Sequence, residues 1–364
     1  MMNICTNKRI GACVGVALMS FYASAAQALL LDNSQQKVVY IGRGDAQNMQ
    51  AVKVQEIPNQ PTYTYSQTTT YQPAGFSAYS APAYTQPAQS ATNPYSTYSD
   101  AYTQGFGLDR LALRPSSAAV AVFDLQTGQP IYEKNVNSKR SIASITKVMT
   151  AMVLLDANLD MREEITLIGS DLVGAKKAST NLRAGDRMSR SEFILLMLMK
   201  SENPAAKALA RTYPGGYDAF ISAMNHKAYS LGMSQTSFSD SSGLNPRNVS
   251  SANDLIKMMR AVNSDPRYQM VRNFSTAQSY DFYINNYNSG SRTYKANNTS
   301  RLVRSGSYPI GASKTGYIRE AGYCVVMETH VNNRPAVVVL LGASASNNRW
   351  NDAENILTQL AFLN

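Results

Sequence analysis

Ser144 and Lys147 stand three residues apart in the tetrapeptide Ser144-Ile145-Thr146-Lys147, a spacing that can do chemistry. A serine hydroxyl is a weak nucleophile until a base removes its proton, and a lysine serves as that base only when its amine is driven neutral. On a helix, residues three apart share one face a turn apart, so the amine can reach the hydroxyl. Burial and a second nearby cation both lower a lysine pKa, and Lys314, in Lys314-Thr315-Gly316, is the candidate for that cation. Between the two lies Ser201-Glu202-Asn203. The Ser201 hydroxyl suits proton relay to a leaving nitrogen, and the Asn203 amide suits holding a substrate peptide group. Lys314 and Thr315 are expected to hold a carboxylate. Gly316 leaves a strand edge clear for a substrate backbone to pair along it. The backbone N–H groups of Ser144 and Tyr317 are the expected oxyanion donors. Each motif alone also reads as ordinary structure: an N-cap, a surface lysine, a strand end. The ordered set describes serine acyl transfer with a lysine base.

These residues need elements to hold them. Residues 118–124 read as a strand, Thr127-Gly128 as a turn, and residues 130–133 as the returning partner of a hairpin. From Ile145, the apolar residues Val148, Met149, Met152 and Leu155 recur at helical spacing, which starts a buried helix near Ser144 and aims the positive end of its dipole at developing negative charge. Ser189 and Glu192 form a capping-box pattern that opens a very apolar helix through Met199. Pro204 suits the first turn of the next helix, to about Tyr213, which Pro214-Gly215-Gly216 ends. Further helices are expected from Tyr217 to about Leu231, stopping at Gly232, and from Ser251 through Val262. Strands follow around Lys314, over 324–330 and over 336–341, with Asn332-Asn333 at the turn between the last two. A helix over 350–363 closes the chain. The expected fold class is α+β: an antiparallel sheet of about five strands covered by helices, with an inserted all-helical subdomain.

The 364 residues divide into a leader, a linker and one catalytic domain. Residues 1–28 have the pattern of a secretory signal peptide: Lys8 and Arg9, then an apolar run over 10–22, then small residues that offer cleavage after Ala25 or Ala28. The apolar run falls short of the ~20 residues that a membrane span needs. An uncleaved anchor is the alternative. Residues 29–107 are assigned to a low-complexity linker. From Pro58 to Gly107 it is rich in Tyr, Thr, Ser, Gln, Pro and Ala, and Asp100 is its only charged residue. Such a stretch lacks the aliphatic surface that offsets chain entropy and reads as disordered. Its tyrosines leave open a role in contacting sugar rings or a protein partner. Residues 108–364 form the catalytic domain. Cys5 and Cys13 lie in the leader, so Cys324 alone remains, in an apolar run that marks a packed core residue. The net charge is +10. Without a Lys/Arg block interleaved with aromatics, an extracytoplasmic anionic polymer or membrane face fits it better than nucleic acid, and a charge excess with no partner fits equally well. His226 and His330 are the two histidines, one within a helix and one at a strand end. A Ser-His-Asp hydrolase is therefore a poor option, a structural role suits each histidine better, no His, Cys or carboxylates cluster as metal ligands, and the chemistry calls for no cofactor.

At the three motifs the chain resembles the penicillin-binding protein and serine β-lactamase superfamily. The resemblance extends from Leu108 to Asn364. Within that superfamily the chain is similar to the low-molecular-weight D-alanyl-D-alanine peptidases. Arg140-Ser141-Ile142-Ala143-Ser144, Leu182-Arg183-Ala184-Gly185-Asp186, Tyr213-Pro214-Gly215-Gly216-Tyr217 and Ser242-Gly243-Leu244 fit the D-alanyl-D-alanine endopeptidase branch, the penicillin-binding protein 7 type. The resemblance implies a periplasmic enzyme acting on peptidoglycan stem peptides and acylated by β-lactam antibiotics. It implies Ser144 as nucleophile, Lys147 as base, Ser201 and Asn203 as second-motif partners, and Lys314 as carboxylate binder. Carboxypeptidase relatives continue into a β-rich domain and a terminal amphipathic helix, whereas this sequence ends directly after its last expected helix. No transmembrane anchor is therefore expected after leader cleavage. Three other functions compete: a D-Ala-D-Ala carboxypeptidase, a β-lactamase and an inactive peptidoglycan-binding protein. A β-lactamase of the class A kind needs a glutamate between the second and third motifs, and none occurs between Asn203 and Arg319.

Overall fold

The computed structural model describes residues 111–363 and, upstream, the backbone of three strands: β1 (Leu29–Leu31), β2 (Lys37–Ile41) and β3 (Gln50–Lys53). These three pair antiparallel in the order β1-β2-β3. They fall within residues 29–107, ahead of the stretch from Pro58 to Gly107 that reads as disordered. Leu29-Leu30-Leu31 and Val38-Val39-Tyr40-Ile41 have the apolar and β-branched character that residues 58–107 lack. The expected leader and the Tyr/Gln-rich part of the linker lie outside the described residues.

The folded region begins with the hairpin β4 (Ala119–Asp124) and β5 (Pro130–Lys134), followed by the short strand β6 (Arg140–Ser141). A 3-10 turn over Ala143–Ile145 leads into α1 (Thr146–Asp156). Then come β7 (Glu164–Thr166), β8 (Asp186–Ser189), α2 (Arg190–Met199), α3 (Asn203–Arg211) and α4 (Gly216–Ser230). Next are β9 (Val249–Ser250), α5 (Ala252–Ser264), α6 (Gln269–Ser275), β10 (Ser279–Asn286), β11 (Arg292–Asn297) and α7 (Arg301–Ser305). The chain closes with β12 (Ile310–Ile318), β13 (Gly322–Thr329), β14 (Ala336–Ala343) and α8 (Ser346–Leu360).

The main sheet has five antiparallel strands in the order β12-β13-β14-β4-β5. The strand period of two divides its buried residues between two cores. Val337, Val339 and Leu341 face one core and Val338 and Leu340 the other. Ala119 and Ala121 alternate with Val120 and Val122 in the same way, as do Cys324 and Val326 with Val325 and Met327. A strand buried on both faces must be apolar throughout, and β14 (Ala-Val-Val-Val-Leu-Leu-Gly-Ala) is. On one face α8 supplies Trp350, Ile356 and Leu357, and on the other α1, α2 and α5 supply the larger core. Helix α1 is buried at every residue from Thr146 to Leu154, which makes it a central helix with no solvent-facing stripe.

The α+β class and the five-stranded sheet agree with expectation, and the inserted region departs from it. Between α1 and β12 lies a second antiparallel sheet, in the order β11-β10-β8-β7, so the insertion is not all-helical. Its strands escape a pattern search for different reasons. β7 spans three residues and β8 four, whereas β10 (Ser-Tyr-Asp-Phe-Tyr-Ile-Asn-Asn) alternates buried and exposed residues but carries tyrosine and asparagine on both faces. The caps follow the sequence. Ser189 and Glu192 satisfy each other's backbone N–H at the start of α2, and the Ser251 hydroxyl accepts from the Asp254 N–H at the start of α5.

Asp352 on α8 ties the two ends of the domain together. Only 8% exposed, its carboxylate accepts hydrogen bonds from the backbone and hydroxyl groups of both Ser116 and Ser117, at 2.7–3.0 Å. Asp352→Ala leaves four donors without their acceptor and is expected to cost about 3 kcal/mol, since hydrogen bonds to a charged group contribute ~1.5–3 kcal/mol and removing one partner strands the other. A urea titration showing less than about 1 kcal/mol lost would mean that water takes the carboxylate's place at little cost.

Candidate active site

The 3-10 turn sets Ser144 at the mouth of α1, with Lys147 one turn further in. Lys147 is fully buried, and its Nζ lies 2.9 Å from Ser144 Oγ, 2.7 Å from Asn203 Oδ1 and 2.6 Å from the Ser242 carbonyl oxygen. Three neighbours suit a neutral amine as well as an ammonium. Two N–H bonds go to the two fixed acceptors, Asn203 and Ser242, and the lone pair faces the serine hydroxyl. Burial pushes the Lys147 amine down to about 7, while the carboxylates of Asp240 and Glu202 pull it partly back up. Lys314, also fully buried, is pushed well below the usual lysine value by burial, with the charges of Lys147 and Arg349 adding to it. Repulsion between two ammonium groups is mutual, so the pair does not hold two protons comfortably at neutral pH. Lys314 was the cation expected to depress Lys147. Burial, and not Lys314, is what lowers it.

Two glycines press the backbone of the turn that carries Ser144 into place. Ala143, just before Ser144, sits at φ +47°, a left-handed conformation that costs a residue with a Cβ about 1–3 kcal/mol and persists only where its surroundings impose it. Gly243, at φ +84°, packs so closely that a Cβ there would lie 1.9 Å from the Ala143 carbonyl oxygen. Gly316 on β12 packs from the other side, where a Cβ would lie 2.8 Å from the Ile142 oxygen and 3.1 Å from the Ser144 nitrogen. The third motif thus lies directly against the first, with the Ser144 N–H next to Gly316 and Tyr317 following it. Tyr317 is 55% exposed and stacks on Tyr323 at 4.2 Å. Strand β12 is the edge of the main sheet. Thr315 bonds to Thr299 through their hydroxyls at 2.7 Å, and Lys314 Nζ donates to the Thr315 carbonyl at 3.0 Å.

The second motif arrives by a strained loop. Ser201 takes φ +68°, and Glu202 and Asn203 start α3, with Pro204 in its first turn. Asn203 reaches Lys147 directly. Among the described residues the Ser201 hydroxyl has no hydrogen-bond partner, so the resting geometry joins Asn203, but not Ser201, to the Ser144–Lys147 pair. Cys324 is buried, its thiol pushed up to about 11 by burial, as a packed core cysteine should be. His330 pairs with Glu328 at 2.9 Å, and His226 lies within α4. Among the described residues no group of His, Cys, Asp and Glu has metal-binding geometry.

Two features escaped the sequence reading. One is the loop over 239–248, organised by Asp240 and Asn248. The Asp240 carboxylate accepts from the Gly243 and Asn245 N–H groups and the Ser242 hydroxyl, and the Asn248 amide ties it to Thr146 at the start of α1. This loop delivers the Ser242 carbonyl to Lys147 and Gly243 to Ala143. Ser242-Gly243-Leu244 was visible in the sequence, but its contact with the nucleophile turn was not. The other is Arg349 on α8, 6% exposed, with Nη1 donating to the Cys324 carbonyl at 3.0 Å and Nε without a hydrogen-bond partner among the described residues. Its guanidinium lies over the Trp350 ring at 4.4 Å and near enough to Lys314 to lower that amine. An arginine beside the one tryptophan at a helix start was the available signal.

Comparison with known proteins places this geometry in a family context. Residues 111–345 match the family described as D-alanyl-D-alanine carboxypeptidase, Peptidase_S11. The D-alanyl-D-alanine endopeptidase of Escherichia coli K12 is 38% identical over 243 residues, covering 67% of this chain and 76% of the relative. The D-alanyl-D-alanine endopeptidase of Pseudomonas aeruginosa is 37% identical, covering 66% and 76%. The crystal structure of the Streptomyces K15 DD-transpeptidase superposes with a TM-score of 0.63 at 25% identity, covering 69% of this chain and 98% of that one.

Two outcomes are expected from this geometry. Lys147 with its proton cannot serve as a base, so the rate of Ser144 acylation by a fluorescent penicillin should fall about tenfold per pH unit below about 7 and level off above it. A rate flat across that range, or one that rises only near the ordinary lysine value, would contradict it. Gly243→Ala should lower the same rate on the order of 10²-fold while the protein stays folded by circular dichroism, since a displacement of about 1 Å at a reacting group costs that much.

Proposed function

We infer the activity from a fixed premise: the chain belongs to the D-alanyl-D-alanine carboxypeptidase family, Peptidase_S11. It is a serine D,D-peptidase of the bacterial cell wall. The observation that carries the reading of its site is the fully buried Lys147 amine, 2.9 Å from Ser144 Oγ and pinned by Asn203 and the Ser242 carbonyl.

In our reading, Ser144 Oγ attacks the carbonyl carbon of a D-alanyl bond as its proton passes to Lys147 Nζ. The Ser144 and Tyr317 N–H groups hold the oxyanion of the tetrahedral intermediate. The intermediate collapses to an ester on Ser144 as the C–N bond breaks, and the proton reaches the leaving amine by way of Ser201. Water then attacks the ester, with its proton returned to Ser144 through the same base. Asn203 and the exposed edge of β12, along Gly316, orient the substrate backbone. Lys314, Thr315 and Arg349 hold a carboxylate on the leaving side, where an arriving anion favours the protonated form of the buried Lys314 amine.

The bond we assign is the D-alanyl–meso-diaminopimelate cross-link, cleaved as an endopeptidase. The names of the Escherichia coli and Pseudomonas aeruginosa relatives support this over a carboxypeptidase preference. β-Lactams, which present an acylating carbonyl and a nearby carboxylate, are expected to form a covalent adduct on Ser144, and nucleic acid is no partner. We place the enzyme in the periplasm on the leader pattern of residues 1–28, and its catalytic domain at residues 108–364. Among the described residues, no helix is long and apolar enough to cross a membrane.

Digestion of purified cross-linked muropeptides, with product masses measured, tests this directly. Monomers should appear from dimers, and Ser144→Ala should lower that rate on the order of 10³-fold or more, as loss of a nucleophile does elsewhere. Release of terminal D-alanine with the cross-link left intact would make the chain a carboxypeptidase.

A further inference from the structure

We propose that a pocket beside the second motif, away from Lys314 and Arg349, is a second substrate subsite that takes a free carboxylate of the stem peptide remote from the scissile bond. The proposal rests on the peptidase reading above. The pocket has a volume of about 360 Å³ and lies between residues 180–183 and residues 292–295 of β11. That volume falls in the range of small-ligand sites, ~300–1,000 Å³.

Its two walls are locked together. Arg292 bonds to both oxygens of the buried Asp186 at 2.6 Å and to the Asn181 carbonyl at 3.0 Å. This pair is mutually neutralised and structural. Two other cations at the pocket are not spent. Arg183 gives its backbone N–H to Asp186, while its exposed guanidinium has no partner among the described residues. Lys295 Nζ is 4.0 Å from Asp281, a loose contact between exposed side chains that water screens. Of the carboxylates nearby, Asp186 is held by Arg292, Glu202 by two hydroxyls, and Asp281 only loosely by Lys295. Charge around the pocket is balanced overall, and what sets the pocket apart is the Arg183 guanidinium, whose planar donors have no partner among the described residues and suit a carboxylate.

Glu202 connects this pocket to the reacting atoms. It is 5% exposed and lies in sequence between Ser201 and Asn203. Its Oε1 accepts from Tyr294 Oη at 2.8 Å and its Oε2 from Thr180 Oγ1 at 2.6 Å, one bond to each wall of the pocket. The pocket lining and the Ser201–Asn203 loop are thus one hydrogen-bonded unit. A stem peptide acylated on Ser144 and running past Asn203 would lead its remote carboxylates toward Arg183 and Lys295.

The test uses two cross-linked muropeptide dimers, one with its stem carboxylates free and one amidated only at the carboxylates remote from the cleaved bond. The wild-type protein should favour the free form about tenfold in kcat/KM, mainly through KM, the size of one hydrogen bond to a charged group. The double variant R183Q/K295Q, checked for folding by circular dichroism, should bring that ratio to about one, and R183K should restore part of it. Equal cleavage of both dimers by the wild type, or a preference that survives in the double variant, would overturn the subsite and leave the peptidase reading intact. Failure of the wild type to cleave either dimer would instead overturn the peptidase reading.

Discussion

A buried lysine amine that, among the described residues, bonds to no carboxylate governs this site. Moving an ammonium out of water is expensive, and the chain answers by letting Lys147 lose its proton near neutrality. Much of the surrounding structure serves that result. Helix α1 is buried nearly along its whole length, so the amine cannot turn outward to solvent. Asn203 and the Ser242 carbonyl accept its two remaining N–H bonds, and only the side toward Ser144 is left for chemistry. Asp240 and Glu202 contribute enough negative charge to keep the amine from falling further, which sets its basicity between an ordinary lysine and an inert amine.

Strain accompanies this arrangement and is held by packing. Ala143 and Ser201, two residues with a Cβ, both take left-handed φ values beside the reacting groups. Neither conformation would persist in an isolated loop. At Ala143, Gly243 and Gly316 close on the turn from two sides. At Ser201, the next residue, Glu202, is fixed by Tyr294 and Thr180 from separate elements. The two helix starts that bear the reacting groups are therefore set by tertiary contacts, not by local propensity.

The parts of this protein governed by short-range rules were legible in its sequence. The Ser144–Lys147 spacing, the Ser189–Glu192 box, the β4–β5 hairpin and the apolar run of β14 each depend on neighbours within a few residues. What escaped depends on contacts between distant segments. The second sheet joins β8 to β10, about a hundred residues on, through strands too short or too polar to stand out. Arg349 reaches Lys314 from the last helix, and Asp240 reaches Lys147 through a loop whose sequence reads as a plain turn. The depression of Lys147, expected in part from Lys314, comes from burial, which no spacing rule measures. The Tyr/Gln-rich stretch lies outside the described residues, so its role is unchanged by the structure.

The order of strands in the main sheet has a consequence for how the molecule comes into being. β4 is among the first strands of the domain, yet it completes its ladder only against β14, and Ser116 and Ser117 meet Asp352 more than two hundred residues later. Such long sequence separations make for slow folding, because loop closure precedes any reward from contact. The Gly316 wall and the Arg349 cation follow Ser144 in the chain by 172 and 205 residues. A chain in which β12 and α8 have yet to fold thus lacks the wall and the cation around Ser144 and Lys147 even after those two residues have been made, and the site is complete only once these later segments are in place.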